Sequence, residues 1–140
     1  MVRPVTYTFS FRTRHSYDTT KIGISVPVEL TSGTNVVQVD AKLDTGASIC
    51  IFERAYAEML GLNVESGTQA LVTTANSTFK AFGHWMTMTV LGFQVDVMVY
   101  FAADASIKRN VLGRRGFIDQ LRLCLIEHAG ELYISKFDDE

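Results

Sequence analysis

The grouping in this 140-residue chain best suited to chemistry is Leu43-Asp44-Thr45-Gly46-Ala47-Ser48. A glycine two places after the aspartate lets the chain turn sharply and lets another backbone approach closely. The Thr45 hydroxyl both donates and accepts hydrogen bonds, which suits a rigid support beneath a carboxylate. Two aspartates within hydrogen-bond reach cannot both ionise, so they share one proton. One then activates a water as general base while its protonated partner polarises a carbonyl. Turn chemistry alone also explains an Asp-Thr-Gly. Average residue usage yields the tripeptide by chance in roughly 3 % of chains this long, so its position and its company must carry the reading.

The elements that position it are mostly strands. Val37, Val39, Ala41 and Leu43 alternate with Gln38, Asp40, Lys42 and Asp44, so a strand ends at the motif with Asp44 on the face opposite Leu43. Met86, Met88 and Val90 form a second alternating run, Leu91-Gly92 offers a turn, and Phe93, Val95, Val97 and Val99 form a third. Leu121, Leu123 and Leu125 precede a turn at 127–130 and a last strand over 131–137. Residues 52–60 carry apolar positions at helical spacing, and Gly61 stands where a helix stops. A second, very short helical turn is expected over 116–120, and the acidic residues 138–140 read as a solvated tail. Short strands separated by glycine or polar clusters predict a compact, mainly β barrel or sandwich.

Composition agrees with one packed domain, residues 1–140. Apolar residues make up 47 % and charged residues 20 %, enough for a core, which argues against disorder. A net charge of −2 does not suggest nucleic acid or an anionic membrane as partner. No apolar run approaches a bilayer span of roughly 20 residues, and the first residues lack the apolar core of a signal peptide. Cys50 and Cys124 make no disulfide framework. A cytoplasmic protein is expected.

A second segment, Asn110-Val111-Leu112-Gly113-Arg114-Arg115-Gly116-Phe117, makes the resemblance specific. Two apolar residues and Gly-Arg, about 70 positions after a single Asp-Thr-Gly-Ala, resemble the retropepsin family of aspartic proteases. The bacterial and archaeal members similar to retroviral protease come nearest. The resemblance runs over about 22–137 and implies a closed-barrel acid-protease fold with short helices after the catalytic loop and near the C-terminus. It implies Asp44 as the catalytic acid and Thr45 as the residue that interlocks with its mate from a second subunit. Gly46 and Ala47 match the floor of the substrate groove, and Val111, Leu112 and Gly113 match the apolar strand behind the catalytic loop. Arg114 matches the arginine after that glycine. Retroviral enzymes carry an aspartate where this chain has Ser48, and that acid pairs with the arginine. Here Ser48 is left to hydrogen-bond substrate, and Asp119 or a backbone carbonyl is left as a partner for Arg114.

Residues 69–83 read as a hairpin, Leu71, Thr73 and Ala75 alternating up to a polar tip. The resemblance makes it the flap that closes over bound peptide, with Thr74, Ala75, Asn76 and Ser77 replacing a glycine-rich tip. The plain alternative is an ordinary surface hairpin. His15, His84 and His128 fit no metal-ligand spacing, so neither a metal nor another cofactor is expected. Cys50 and Cys124 read as small buried hydrophobes, and Trp85 as core. Lys108, Arg109, Arg114 and Arg115 form a basic cluster without the interleaved aromatics of a nucleic-acid patch.

One motif has a direct consequence. Paired carboxylates require a second Asp44, and Asp104-Ala105-Ser106, the nearest imitation, lacks the glycine. The expected unit is therefore a homodimer with C2 symmetry, an aspartic endopeptidase acting on extended peptide. Either an N-terminal strand over 6–11 or the C-terminal strand over 132–137 would build its interface. The apolar groove walls favour hydrophobic residues flanking the cleaved bond. The rival is a non-catalytic dimeric module that holds a peptide or assembles a complex, favoured by Ser48 and the glycine-poor hairpin. An enzyme that cuts only its own precursor or one dedicated partner is a third reading.

Overall fold

A computed structural model of the chain describes residues 2–140. Ten strands form in order: β1 (Thr13–Ser16), β2 (Ile24–Ser32), β3 (Asn35–Leu43), β4 (Ile51–Phe52), β5 (Thr68–Thr73), β6 (Thr78–Val90), β7 (Phe93–Ala102), β8 (Val111–Leu112), β9 (Leu121–Ile126) and β10 (Glu131–Lys136). One α-helix, α1 (Arg54–Met59), follows β4. Seven strands pair in the order β2-β3-β8-β4-β7-β6-β5, and β2 also pairs with β6, so the ladder returns to its first strand. The remaining three form a second sheet, β1-β10-β9.

Alternation selects the buried faces. In β3, Val37, Val39 and Ala41 are buried while Gln38, Asp40 and Lys42 are exposed. Opposite them in β2, the run Ile24, Val26, Val28 and Leu30 presents the same face, and its exposed Pro27 sits in register with Asp40. Phe52 and Phe101, both fully buried, meet with ring centroids 6.3 Å apart. Each such side chain contributes about 2 kcal/mol by leaving water. Leu132 and Ile134 of β10 join the same hydrophobic cluster, so the three-stranded sheet packs on the larger one.

Several boundaries differ from the sequence reading. The helix is shorter than 52–60 because Phe52 is taken by β4, in parallel register with Phe101. Asn110 ties down its start: Glu53 N–H donates to Asn110 Oδ1 at 3.0 Å and Asn110 Nδ2 donates to the Glu53 carboxylate at 2.7 Å. Arg54 then bridges α1 to the 3-10 turn at Val64–Ser66 by donating to Glu65, which holds the Glu65 carboxyl below its ordinary range. At 116–120 there is only a 3-10 turn, Ile118–Gln120, because Gly116 (φ +101) and Phe117 (φ −128) lie outside helical values.

The first strand is Thr13–Ser16 rather than 6–11, since its partner residues on β10 begin at Ile134. Residues 2–10 are exposed and without regular structure. β10 lies between β1 and β9, so both its edges are already paired. Trp85 is 71 % exposed, not core, because Met86 and Met88 on the same strand take the inward positions. The acidic tail is not wholly solvated: Asp139 pairs with Arg12 at 3.1 Å. Among the described residues no helix is long and apolar enough to cross a membrane.

Candidate active site

Asp44 stands where β3 ends. Its N–H donates to the Leu112 carbonyl at 3.0 Å, continuing the parallel pairing of β3 with β8. The chain then turns, with Ala47 N–H donating to the Asp44 carbonyl at 3.2 Å. Gly46 is needed here for space rather than for a positive φ: a Cβ on it would lie 3.1 Å from Asp44 Oδ1. That same oxygen accepts the Gly46 N–H at 2.8 Å.

The second segment is laced to this turn. Arg114 N–H donates to the Ala47 carbonyl at 2.9 Å and Arg115 N–H to the Ser48 carbonyl at 3.0 Å. Gly113 precedes them, its N–H donating to the Cys50 sulfur at 3.4 Å. Burial pushes the Cys50 thiol up to about 11, with the Gly113 hydrogen bond acting the other way. A thiol so placed is packing, not a nucleophile. The strand that follows the turn is only Ile51–Phe52, and Ile49 makes an isolated bridge to Arg115.

The hairpin expected over 69–83 forms from β5 and the start of β6, in register from Thr68–Gly83 to Thr73–Thr78. Its tip is held by Thr74, whose N–H donates to the Ser77 carbonyl at 2.8 Å and whose Oγ1 accepts the Ser77 N–H at 3.1 Å. A cleft of about 590 Å³ lies between it and the turn. Residues 46–49 and 51 line one side, residues 71–76 the other, and Arg109 borders it. Ser77 does not line the cleft. Asp44 borders an adjoining shallow hollow with Asp40, Lys42, Lys108 and Arg109.

The structure thus brings together Asp44, Gly46, Ala47 and Ser48 with Val111, Leu112, Gly113 and Arg114. It faces them with Thr74, Ala75 and Asn76. Thr45 is exposed, and among the described residues its hydroxyl has no hydrogen-bond partner. Arg114 is exposed without an ion pair among the described residues, and Asp119 instead accepts the Gly116 N–H at 3.1 Å. His15 donates to the Ser25 carbonyl and His84 to the Val64 carbonyl, each at 2.9 Å.

The basic cluster divides. Lys108 pairs with Glu53 at 3.6 Å, and Arg109 Nη2 stands 3.7 Å from Asp44 Oδ2. Sequence reasoning missed Arg109 as a site residue and Leu71, 67 % exposed, as a cleft wall. The only signal for Arg109 was its place just before the strand that pairs beside Asp44.

Residues 26–115 match the family model described as aspartyl protease. No curated protein matches the chain by sequence. Among solved structures, a retropepsin-like aspartic protease from Rickettsia conorii is similar with a TM-score of 0.62 at 15 % identity, over 88 % of this chain and 97 % of that one. That likeness establishes a retropepsin-like fold.

Proposed function

Since the chain belongs to the aspartyl protease family, we propose that it is an endopeptidase whose working unit is a homodimer, the two Asp44 carboxylates facing across a C2 axis. The observation that carries this reading is the placement of Asp44, fixed at a strand end in a hollow that adjoins the cleft roofed by the hairpin. The chain acts as one domain, and the ladder that returns from β6 to β2 supports a closed barrel. Both cysteines are free thiols, which fits a reducing compartment such as the cytoplasm.

In the dimer the dyad shares one proton. The ionised Asp44 takes a proton from a bound water, whose oxygen attacks the peptide carbon. The protonated Asp44 passes its proton to the carbonyl oxygen, giving a tetrahedral diol. On collapse the first Asp44 protonates the leaving nitrogen, the C–N bond breaks, and the second recovers a proton from the diol. An acid and an amine leave, and the dyad is restored.

Thr45, exposed in the single chain, meets its mate beneath the dyad. Gly46, Ala47 and Ser48 form the groove floor, and the hairpin tip at Thr74, Ala75, Asn76 and Ser77 closes over an extended substrate, excluding water. Val111, Leu112, Gly113 and Arg114 hold the turn from behind.

Arg114, without an ion pair among the described residues, and the absence of an acid at Ser48 favour a second reading, a module that binds peptide without cutting it. Incubating the protein with an unfolded substrate from about pH 4 to 7, with and without a statine-type inhibitor, separates the two. Inhibitor-sensitive cleavage that Asp44→Asn abolishes, in a variant still folded, supports the endopeptidase. Peptide binding without cleavage supports the module.

A further inference from the structure

Arg109 stands between Asp44 and the cleft. Its guanidinium lies 3.7 Å from Asp44 Oδ2, and its side chain also borders the cleft beneath the hairpin. Every other residue lining that cleft is neutral. The backbone beside it is pinned, because the Asn110 carbonyl accepts the Lys42 N–H at 3.0 Å and the Asn110 side chain is committed to Glu53. The base of the Arg109 side chain is therefore fixed. Lys108 is occupied by Glu53, and Asp40 and Lys42, which border the adjoining hollow beside Asp44, offset each other in charge.

Two copies bring two Arg109 guanidiniums to two Asp44 carboxylates that hold one proton between them. Two positive charges then face one negative charge, an excess of +1 at the centre of the groove. Arginine does not lose its proton in a protein. A charge without a partner is costly once a peptide displaces water from around it. A carboxylate on that peptide removes the excess, in the planar two-point geometry that guanidinium favours.

The geometry points to Arg109 as a specificity-determining residue: the cleft selects an extended peptide with an Asp or Glu side chain next to the cleaved bond, its carboxylate pairing with Arg109. This rests on the endopeptidase reading of the same site. Apolar side chains of the substrate meet Ile49, Ile51 and Leu71, so the acid adds to the hydrophobic preference of the walls rather than replacing it.

The test uses peptides that differ only in carrying Glu, Gln or Leu at each position flanking the cleaved bond. The wild-type protein is expected to favour Glu over Gln by about tenfold in kcat/KM at one of these positions, and Arg109→Gln to bring that ratio close to one. Arg109→Glu is expected to favour Lys there instead. An Arg109 that only holds Asp44 in place would change all three peptides by the same factor, which overturns the inference. Cleavage of Glu, Gln and Leu peptides alike by the wild type overturns it and leaves the endopeptidase reading intact. If nothing is cleaved, the endopeptidase reading fails for these peptides, and binding of the same peptides to the Asp44→Asn protein, by fluorescence anisotropy, still decides whether Arg109 selects an acid in the cleft. Tighter binding of the Glu peptide that a further Arg109→Gln removes supports it, and equal binding overturns it.

Discussion

Gly113 and Ile49 are packed backbone against backbone: a Cβ on Gly113 would run into the Ile49 carbonyl group and lie 2.8 Å from the Ala47 oxygen. Two segments more than sixty residues apart in the chain thereby meet without a side chain between them. The hydrogen bonds from Arg114 to Ala47 and from Arg115 to Ser48 depend on that approach. The turn that carries Asp44 is held by this contact rather than by its own short length.

Gly113→Ala is therefore expected to cost about 3 kcal/mol, as a side chain forced against backbone that cannot yield. In a chain of this size the melting temperature falls by about 10 °C, and calorimetry reads it directly. A variant as stable as the parent would mean that the two segments are not so closely joined.

The hairpin tip offers the opposite case. Thr74 organises the tip alone, through its bonds to Ser77, and the tip is exposed. Thr74→Ala is expected to lower kcat/KM by about threefold to tenfold with little change in melting temperature, since loop order contributes to closure and not to the core. Unchanged kinetics would reduce the tip to a surface turn.

How far the sequence foretold this structure depended on the kind of interaction. Alternation in Val37, Val39 and Ala41, and in Met86, Met88 and Val90, located strands because a half-buried strand repeats every two residues. The Asp-Thr-Gly and the Gly-Arg were both legible as local strings. Their lacing was expected from family resemblance, not from spacing. Trp85 reads as core by residue type alone, whereas its phase in the same alternation, next to the inward Met86, puts it outside. Arg109 was invisible as a partner of Asp44 because an ion pair between distant segments leaves no local pattern.

Cys50 gives a test with a sign. Burial raises its thiol from the ordinary 9.0 to about 11. The unfolded chain thus releases this proton first, and the stability present below pH 9 is lost as pH rises toward 11, by about 3 kcal/mol at most. Urea titrations at pH 8 and pH 11 are expected to show this loss, and Cys50→Ala to reduce it. At pH 8 the native protein should expose only the half-buried Cys124 to a thiol reagent. Rapid modification of two thiols would contradict the burial.

The distance between the Asp44 carboxylates of two copies, measured in a crystal of the protein bound to a statine-type inhibitor, bears most directly on the paired-acid mechanism. The expected result is oxygens within about 3 Å of each other or of one shared inhibitor hydroxyl, on a two-fold axis. Carboxylates too far apart to share that hydroxyl in the assembled, inhibitor-bound form would contradict it.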